Sequence, residues 1–146
     1  MNGVLILIKS RIHEHQIQEL LAYSVFPDPD HLEQTIQDYI TNEKLELFGY
    51  ESDDVIVGIL GFQQEDRDEL TIQHIAVRPD SRGAGFGRGL ILEAIAMFKP
   101  ERVLVETDEE AVNFYRSIGF EINSLGEKYP GVERFVCSYY TDSEID

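Results

Sequence analysis

The chain has 146 residues and a formal net charge of −16, with 42% hydrophobic and 27% charged residues, as in ordinary globular proteins. This length suits a single domain over residues 1–146, and the acidic balance argues against nucleic acid or an anionic membrane surface as partners, because both attract basic faces. The lone cysteine, Cys137, excludes an internal disulfide, and no apolar run reaches transmembrane length, so we expect a cytoplasmic protein.

The N-terminal third of the chain predicts one strand and two helices. The short apolar run Val4–Ile8 predicts a buried strand, and Glu14–Tyr23 carries apolar residues at helical spacing. Prolines and acidic turn residues in Ser24–Asp30 predict a loop, and Asp30 is the expected N-cap of the second helix. One face of that helix is expected to be buried, and it carries Leu32, Ile36, Tyr39 and Ile40.

Three strands joined by polar turns follow in the middle of the chain. Leu45–Glu51 and Val55–Gln63 flank the turn signal Ser52-Asp53-Asp54, so they predict a hairpin. A second polar turn over Glu65–Asp68 leads into a third strand, Glu69–Val77. Because short turns join them, we expect these three strands to be antiparallel.

The next segment predicts a helix and a strand. Gly87–Phe98 has an apolar face at helical spacing, and Pro100 ends the helix. Arg102–Glu106 then predicts a strand that returns to the sheet, which gives a β-α-β unit.

The C-terminal segment predicts a helix and two strands. Thr107 or Asp108 is expected to cap a helix that Gly119 closes. Strands at Phe120–Leu125 and Val132–Tyr140 enclose a loop that contains Gly126, Pro130 and Gly131. The acidic tail from Thr141 to Asp146 is expected to fray.

The predicted element order is β-α-α-β-β-β-α-β-α-β-β. Consecutive antiparallel strands followed by a β-α-β unit predict a mixed α/β fold. Its centre is a mostly antiparallel sheet of about seven strands, with four helices on the faces of the sheet.

The segment Ile75–Gly89, IAVRPDSRGAGFGRG, carries the strongest functional signal. It places four glycines between a predicted strand and a predicted helix, where free backbone amides favour a phosphate, and Arg82 and Arg88 flank them. A dinucleotide-binding GxGxxG pattern fails because Arg88 and Leu90 occupy required glycine positions, and no P-loop sequence is present. Taken alone, the glycines are equally compatible with a phosphate site and with a turn that only packs the helix against the strand.

The glycine segment resembles the acetyl-CoA loop of the GNAT superfamily of N-acetyltransferases. The family pattern, Arg/Gln-x-x-Gly-x-Gly/Ala, is matched by Arg82-Gly83-Ala84-Gly85-Phe86-Gly87, and Ile75–Pro79 resembles the end of the family's fourth strand. Ala111–Phe120 resembles a second family segment, A-x-x-F-Y-x-x-x-G-F, although Asp108 stands where the family often has Asn. The resemblance covers roughly Val4–Tyr140, and the family's element order is the one predicted above.

The resemblance implies direct transfer of an acetyl group from acetyl-CoA, as cosubstrate, to an amine, with no metal. The family's fourth and fifth strands splay apart, which implies that backbone groups of Ile75 and Val77 bond the pantetheine arm. Amides from Gly83 to Arg88 are expected to hold the pyrophosphate, and Tyr115 to protonate the departing thiolate. The cofactor-binding residues that the resemblance implies are Ile75, Ala76, Val77, Arg82, Gly83, Ala84, Gly85, Gly87, Arg88 and Phe114.

The general base is left open among three residues. Glu106 ends the fifth strand, and its carboxylate would also attract a cationic amine, so we favour it slightly over His74 on the fourth strand. Glu69, which begins the fourth strand, is the third candidate. A structural or solvated role is the alternative for each of them.

The acceptor is expected to be a small amine or a peptide amine. A group of acidic residues in and near the first two helices favours a cationic acceptor: Glu19, Asp28, Asp30, Glu33 and Asp38. The alternative function is a GNAT-fold sensor or partner subunit that binds CoA with little catalysis. We also expect the long last strand to offer an edge at which two copies pair as a homodimer.

Overall fold

The computed structural model describes residues 3–25, 28–66 and 68–141. The strands in these ranges are β1 (Gly3–Leu7), β2 (Leu45–Ser52), β3 (Val55–Asp66), β4 (Glu69–Val77), β5 (Arg102–Asp108), β6 (Glu121–Tyr129) and β7 (Val132–Tyr140). The α-helices are α1 (His15–Ser24), α2 (Pro29–Thr41), α3 (Phe86–Phe98) and α4 (Val112–Ile118). The predicted element order is therefore confirmed. Phe26 and Pro27 of the predicted loop, and the predicted tail beyond Thr141, lie outside the described residues.

The strands form one mixed sheet in the order β1-β2-β3-β4-β5-β7-β6. β4 and β5 pair in parallel, from Glu69 with Arg102 to Ile72 with Val105, whereas β1/β2, β2/β3, β5/β7 and β6/β7 are antiparallel. This confirms the predicted mixed, mostly antiparallel sheet. The prediction that the last strand is an edge is wrong, because β7 pairs on both sides and β6 takes the edge position.

The chain folds into two compact units. The first unit comprises Met1–Gln63 and Gln73–Phe98, and the second comprises Gln64–Ile72 and Lys99–Asp146. The first unit therefore holds α1, α2 and α3, and the second holds β5, α4 and the β6–β7 hairpin.

The core of the first unit forms where α1 and α2 cover one face of the sheet. Its buried members are Ile8, Ile12, Ile17, Leu20, Leu21, Tyr39, Leu45, Leu47, Ile56, Ile59 and Ala76. The predicted apolar face of α2 is only partly correct, because Ile40 is 45% exposed. The buried stripe runs through Thr35 and Tyr39, which are one helical turn apart, and Leu32 and Ile36 lie at its border.

The N-cap of α2 differs from the prediction. The Asp28 side chain, not that of Asp30, caps this helix, and it accepts a hydrogen bond of 3.0 Å from the Asp30 amide. Pro29 occupies the first helical turn, where its fixed φ suits the helix and its missing N–H leaves no orphan donor. The proline therefore moves the cap to the residue before it.

This cap predicts a difference between two neighbouring aspartates. Asp28→Ala should lower the free energy of unfolding by about 1 kcal/mol, because it leaves a helix-terminal amide without its acceptor. Asp28→Asn should retain most of that stability, since asparagine caps equally well. Urea denaturation of the two variants and of Asp30→Ala checks this. A larger loss in Asp30→Ala than in Asp28→Ala would contradict the assignment.

The second unit follows the predicted order with two changes of boundary. β6 continues to Tyr129, past the predicted end at Leu125. Its pairing with β7 has two register shifts, one between Ser124 and Gly126, where Gly126 has φ 81°, and one between Glu127 and Tyr129. α4 begins only at Val112, because the Asp108 carboxylate accepts the amides of Glu110 and Ala111 (both 3.1 Å) in the preceding turn. No helix in the described ranges is long and apolar enough to cross a membrane.

Candidate active site

The glycine segment forms an exposed loop that leads into α3. Gly83 and Gly85 have φ values of 86° and 87°, a conformation that side-chain-bearing residues rarely adopt. A Cβ placed on either residue would meet no atom within 4 Å, so the backbone conformation rather than crowding selects glycine here. The first helical bond runs from the Gly89 amide to the Gly85 carbonyl (2.9 Å). The amides of Phe86, Gly87 and Arg88 precede that bond at the positive end of the helix.

Arg82 is tied to the strand that precedes the loop. Its Nε donates to the Val77 carbonyl at 2.9 Å, and its guanidinium carbon lies 5.2 Å from the centroid of the Tyr23 ring. These contacts hold one end of the loop, while the side chain itself stays exposed. Arg88 and Ala84 are exposed as well. The loop thus offers two arginines beside a row of backbone amides.

The backbone of β4 divides its polar groups between two edges. The Arg78 amide donates to the Val57 carbonyl of β3 at 2.8 Å. Because these groups alternate along a strand, those of Ala76 also face β3, and the N–H and C=O groups of Ile75 and Val77 face the other way. Ile75 and Val77, which the sequence predicts to bond a ligand through their backbone, therefore point these groups away from β3.

His74 is a half-buried residue of β4. Its Nδ1 lies 2.6 Å from the hydroxyl of Tyr39, which is fully buried in α2. Burial, reinforced by His31, lowers the pKa of His74 to about 4, and Asp38 opposes this only in part. His74 is therefore neutral at physiological pH.

Tyr115 is 3% exposed in α4 and belongs to a row of aromatic rings in the second unit. Its ring centroid lies 5.0 Å from that of Phe114 and 5.3 Å from that of Phe120, and Phe120 in turn contacts Tyr139. Burial raises the pKa of the Tyr115 phenol, and the nearby Cys137 and Asp108 act in the same direction. The phenol therefore keeps its proton over the physiological range and is able to donate it.

Glu106 lies on β5 between two cations. Its carboxylate is 3.1 Å from Nε of Arg134 and 3.3 Å from Nζ of Lys128. The hydrogen bond from Arg134 is the main reason that the pKa of Glu106 falls below its usual range, and Lys128 adds to it. The side chain is 42% exposed, so solvent screens these attractions. Glu106 is an ionised, solvent-accessible carboxylate.

Sequence reasoning missed the partners of the candidate bases. Glu69 is paired with Arg102 at 2.8 Å, and neither Lys128 nor Arg134 was singled out beside Glu106. These partners come from other strands, so no local motif marks them. Of the residues described, no group of three or more His, Cys, Asp or Glu is arranged to hold a metal ion.

A family model described as an acetyltransferase (GNAT) domain matches residues 9–130. An N-acetyltransferase of Bacillus methanolicus, uncharacterized and named for the lysA 3′ region, is 30% identical over 80 residues, or 55% of this chain and 66% of the relative. The peptidyl-lysine N-acetyltransferase YjaB of Escherichia coli is 39% identical over 72 residues, or 42% of this chain and 48% of the relative. The matches thus span less than two thirds of each relative's length.

The solved structure of a GNAT family acetyltransferase from Elizabethkingia anophelis, with acetyl-CoA bound, superposes with a TM-score of 0.70. The two chains are 16% identical, and the match covers 96% of this chain and 99% of the other. At this identity the likeness concerns the fold.

Proposed function

Because this chain belongs to the GNAT acetyltransferase family, we propose that it is an N-acetyltransferase that moves the acetyl group of acetyl-CoA to a primary amine. The observation that carries the proposal is the exposed loop before α3, with left-handed Gly83 and Gly85 next to the first amides of the helix, which have no intrahelical acceptor. Such an arrangement binds a phosphate group without requiring a particular base or sugar. The family model runs through both units, which supports one acetyltransferase domain over the whole chain.

We assign the pyrophosphate of acetyl-CoA to the amides from Gly83 to Arg88, with Arg82 and Arg88 adding positive charge. The pantetheine arm is assigned to the backbone groups of Ile75 and Val77 that point away from β3, with Ala76 between them. The Val77 carbonyl already accepts from Arg82, so the Val77 N–H is the donor that we assign to the ligand. The half-buried Phe114 is assigned to the same cosubstrate by its place in the second family segment.

Acetyl-CoA supplies an activated thioester, and the residues of the chain supply proton transfer and binding. The neutral phenol of Tyr115 is the general acid that we assign to the departing CoA thiolate. Its burial supports this role in one respect, because it keeps the phenol protonated and so able to donate a hydrogen bond to the sulfur as negative charge develops there.

We propose Glu106 as the group that removes the proton of the acceptor ammonium, directly or through water. It is exposed and stays ionised, so it is in the correct protonation state at every physiological pH. Its low pKa makes it a weak base. We therefore expect it to pass the proton of the ammonium on to solvent rather than to hold it.

Glu106→Gln should lower kcat/KM for the acceptor by about 100-fold near neutral pH, at the lower end of general-base effects. The deficit should shrink as the pH rises toward the pKa of the amine, because solvent then removes the proton. Profiles of kcat/KM against pH check this, with Glu121→Gln, which alters an exposed glutamate on β6, as control. A deficit that stays constant with pH would contradict the base role.

We further propose that the acceptor amine is cationic, and this proposal rests on the acidic residues of the first unit. Asp30 and Glu33 are exposed on α2, whereas the Asp28 carboxylate already caps that helix. Neutralising Asp30 and Glu33 should therefore raise the acceptor KM without unfolding the helix. If the double variant raised the KM for a diamine no more than the KM for a monoamine, the proposal of a cationic acceptor would be contradicted.

The test of the proposed function is release of CoA thiol from acetyl-CoA in the presence of a panel of primary amines, from monoamines and diamines to lysine peptides. Saturable, amine-dependent release supports the enzyme. Binding of acetyl-CoA by calorimetry with no release across the panel would instead support a CoA-binding sensor or partner subunit.

A further inference from the structure

Tyr39 and His74 form a buried pair for which the neighbouring strand makes room. The Tyr39 side chain is 0% exposed, and its hydroxyl lies 2.6 Å from Nδ1 of His74. A Cβ placed on Gly61 of β3 would lie 1.8 Å from that hydroxyl oxygen. The glycine at position 61 therefore leaves the space that the hydroxyl occupies beside the imidazole.

The direction of this hydrogen bond follows from burial. The Tyr39 hydroxyl makes its hydrogen bond with His74, and leaving its proton without an acceptor in the interior would cost about 1–3 kcal/mol. Burial also raises the pKa of Tyr39, so the phenol keeps that proton. We therefore assign Tyr39 as the donor and Nδ1 of His74 as the acceptor.

The state of the other ring nitrogen follows in turn. A neutral imidazole that accepts at Nδ1 carries its proton on Nε2. The charged and titratable groups that act on the ring are His31 and Asp38 of α2, and with burial they leave it neutral near pH 7. His74 then offers an N–H group at Nε2 and no lone pair.

We propose that Tyr39 is a positioning residue that holds His74 in its Nε2–H form, and that His74 donates this hydrogen bond to an oxygen of the acceptor substrate. The inference rests on the proposed function, because it concerns the acceptor of that reaction. With its proton on Nε2, His74 is no longer a candidate base. The proposed hydrogen bond also favours acceptors that carry a carbonyl or hydroxyl oxygen near the amine, such as amino-acid or peptide amines.

The tautomer is measured by long-range ¹H–¹⁵N correlation spectra of uniformly labelled protein near pH 7. We expect Nδ1 of His74 to resonate as an unprotonated nitrogen and Nε2 as a protonated one, and Tyr39→Phe to give a mixture. Tyr50→Phe, which removes another buried tyrosine hydroxyl in the first unit, should leave the His74 signals unchanged. A proton on Nδ1 in the wild type, or an unchanged ratio in Tyr39→Phe, would overturn the positioning role.

The donor role is separated from a base role by two substitutions at the same position. His74→Gln places an amide N–H near the former Nε2 and should keep kcat/KM within about threefold, whereas His74→Ala should lose about tenfold, as expected for one hydrogen bond. The loss should appear mainly in the acceptor KM and should be smaller for an alkylamine that lacks an oxygen. Equal losses in both variants, or an equal loss with the alkylamine, would refute the donor role.

The two measurements distinguish this inference from the proposed function. The spectra require no turnover, so they test the Tyr39–His74 pair even if the wild type acetylates no amine. Failure of the proposed function would appear instead as a wild type that neither binds nor consumes acetyl-CoA, and the donor role would fall with it.

Discussion

Tyr115→Phe is expected to lower kcat for acetyl transfer by about 10²–10⁴-fold, the usual range for loss of a general acid, with little change in acetyl-CoA affinity. The variant keeps the aromatic ring, so its contacts with Phe114 and Phe120 survive and the helix stays packed. It removes only the phenolic hydroxyl, whose proton burial keeps in place at physiological pH. The thiolate must then leave without a donor, and turnover falls although binding does not.

The matched control for Tyr115 is Tyr139→Phe. Tyr139 belongs to the same aromatic row through its contact with Phe120, at 5.3 Å between centroids. The substitution therefore makes the same chemical change in the same row, at a half-buried position. Turnover, acetyl-CoA binding and melting temperature are measured for both variants. Equal kcat values in the wild type and in Tyr115→Phe would remove Tyr115 from the mechanism.

Gly85→Glu is expected to weaken acetyl-CoA binding by at least about 100-fold, which corresponds to about 3 kcal/mol. Two causes act together. A side chain at φ 87° is strained, so the loop shifts its amides, and the added carboxylate repels phosphate. Since a Cβ at this position meets no protein atom within 4 Å, a clash with the protein would not explain the loss. Isothermal titration of acetyl-CoA measures the effect.

Gly131→Glu provides a closely matched control for the loop substitution. Gly131 also has positive φ, at 78°, and also has open space where a Cβ would lie, but it belongs to the turn between β6 and β7. It therefore repeats both the backbone strain and the added charge outside the glycine segment. Equal weakening by the two substitutions would show that general destabilisation, and not a phosphate site, explains the result.

The features predicted correctly from the sequence are those with local causes. The hairpin of β2 and β3 follows from its two-residue turn, in which Asp53 and Asp54 both take positive φ, as a primed turn requires. Gly119 closes α4 at φ 116°, as a glycine after the last helical turn does. The glycine segment itself was located because strand end, loop and helix start are contiguous in the chain.

The errors have two physical origins. Asp28 and Asp30 flank Pro29, so composition alone does not choose the cap, and only the position of the proline in the first turn decides it. The edge assignment of β7 failed for another reason: strand neighbours are set by pairing between distant segments, which no local pattern records.

The candidate site was predictable in its motifs but not in its contacts. Glu106 meets Lys128 and Arg134, which are 22 and 28 residues away in the chain, and His74 meets Tyr39 across 35 residues. Arg134 and Lys128 lower the pKa of Glu106, whereas burial is the main reason that the pKa of His74 is lowered. The sequence therefore identifies residues able to do acid–base chemistry, whereas the folded chain selects among them.

The fit between Gly61 and Tyr39 also has an evolutionary consequence. A methyl group at position 61 and a hydroxyl on the ring at position 39 exclude each other, because they would lie 1.8 Å apart. Related chains that keep this packing should therefore change the two positions together: glycine would persist wherever tyrosine does, and alanine or serine at 61 would accompany phenylalanine or a smaller residue at 39. Where that exchange has occurred, the imidazole would be released from its partner, and acceptor preference would be free to drift.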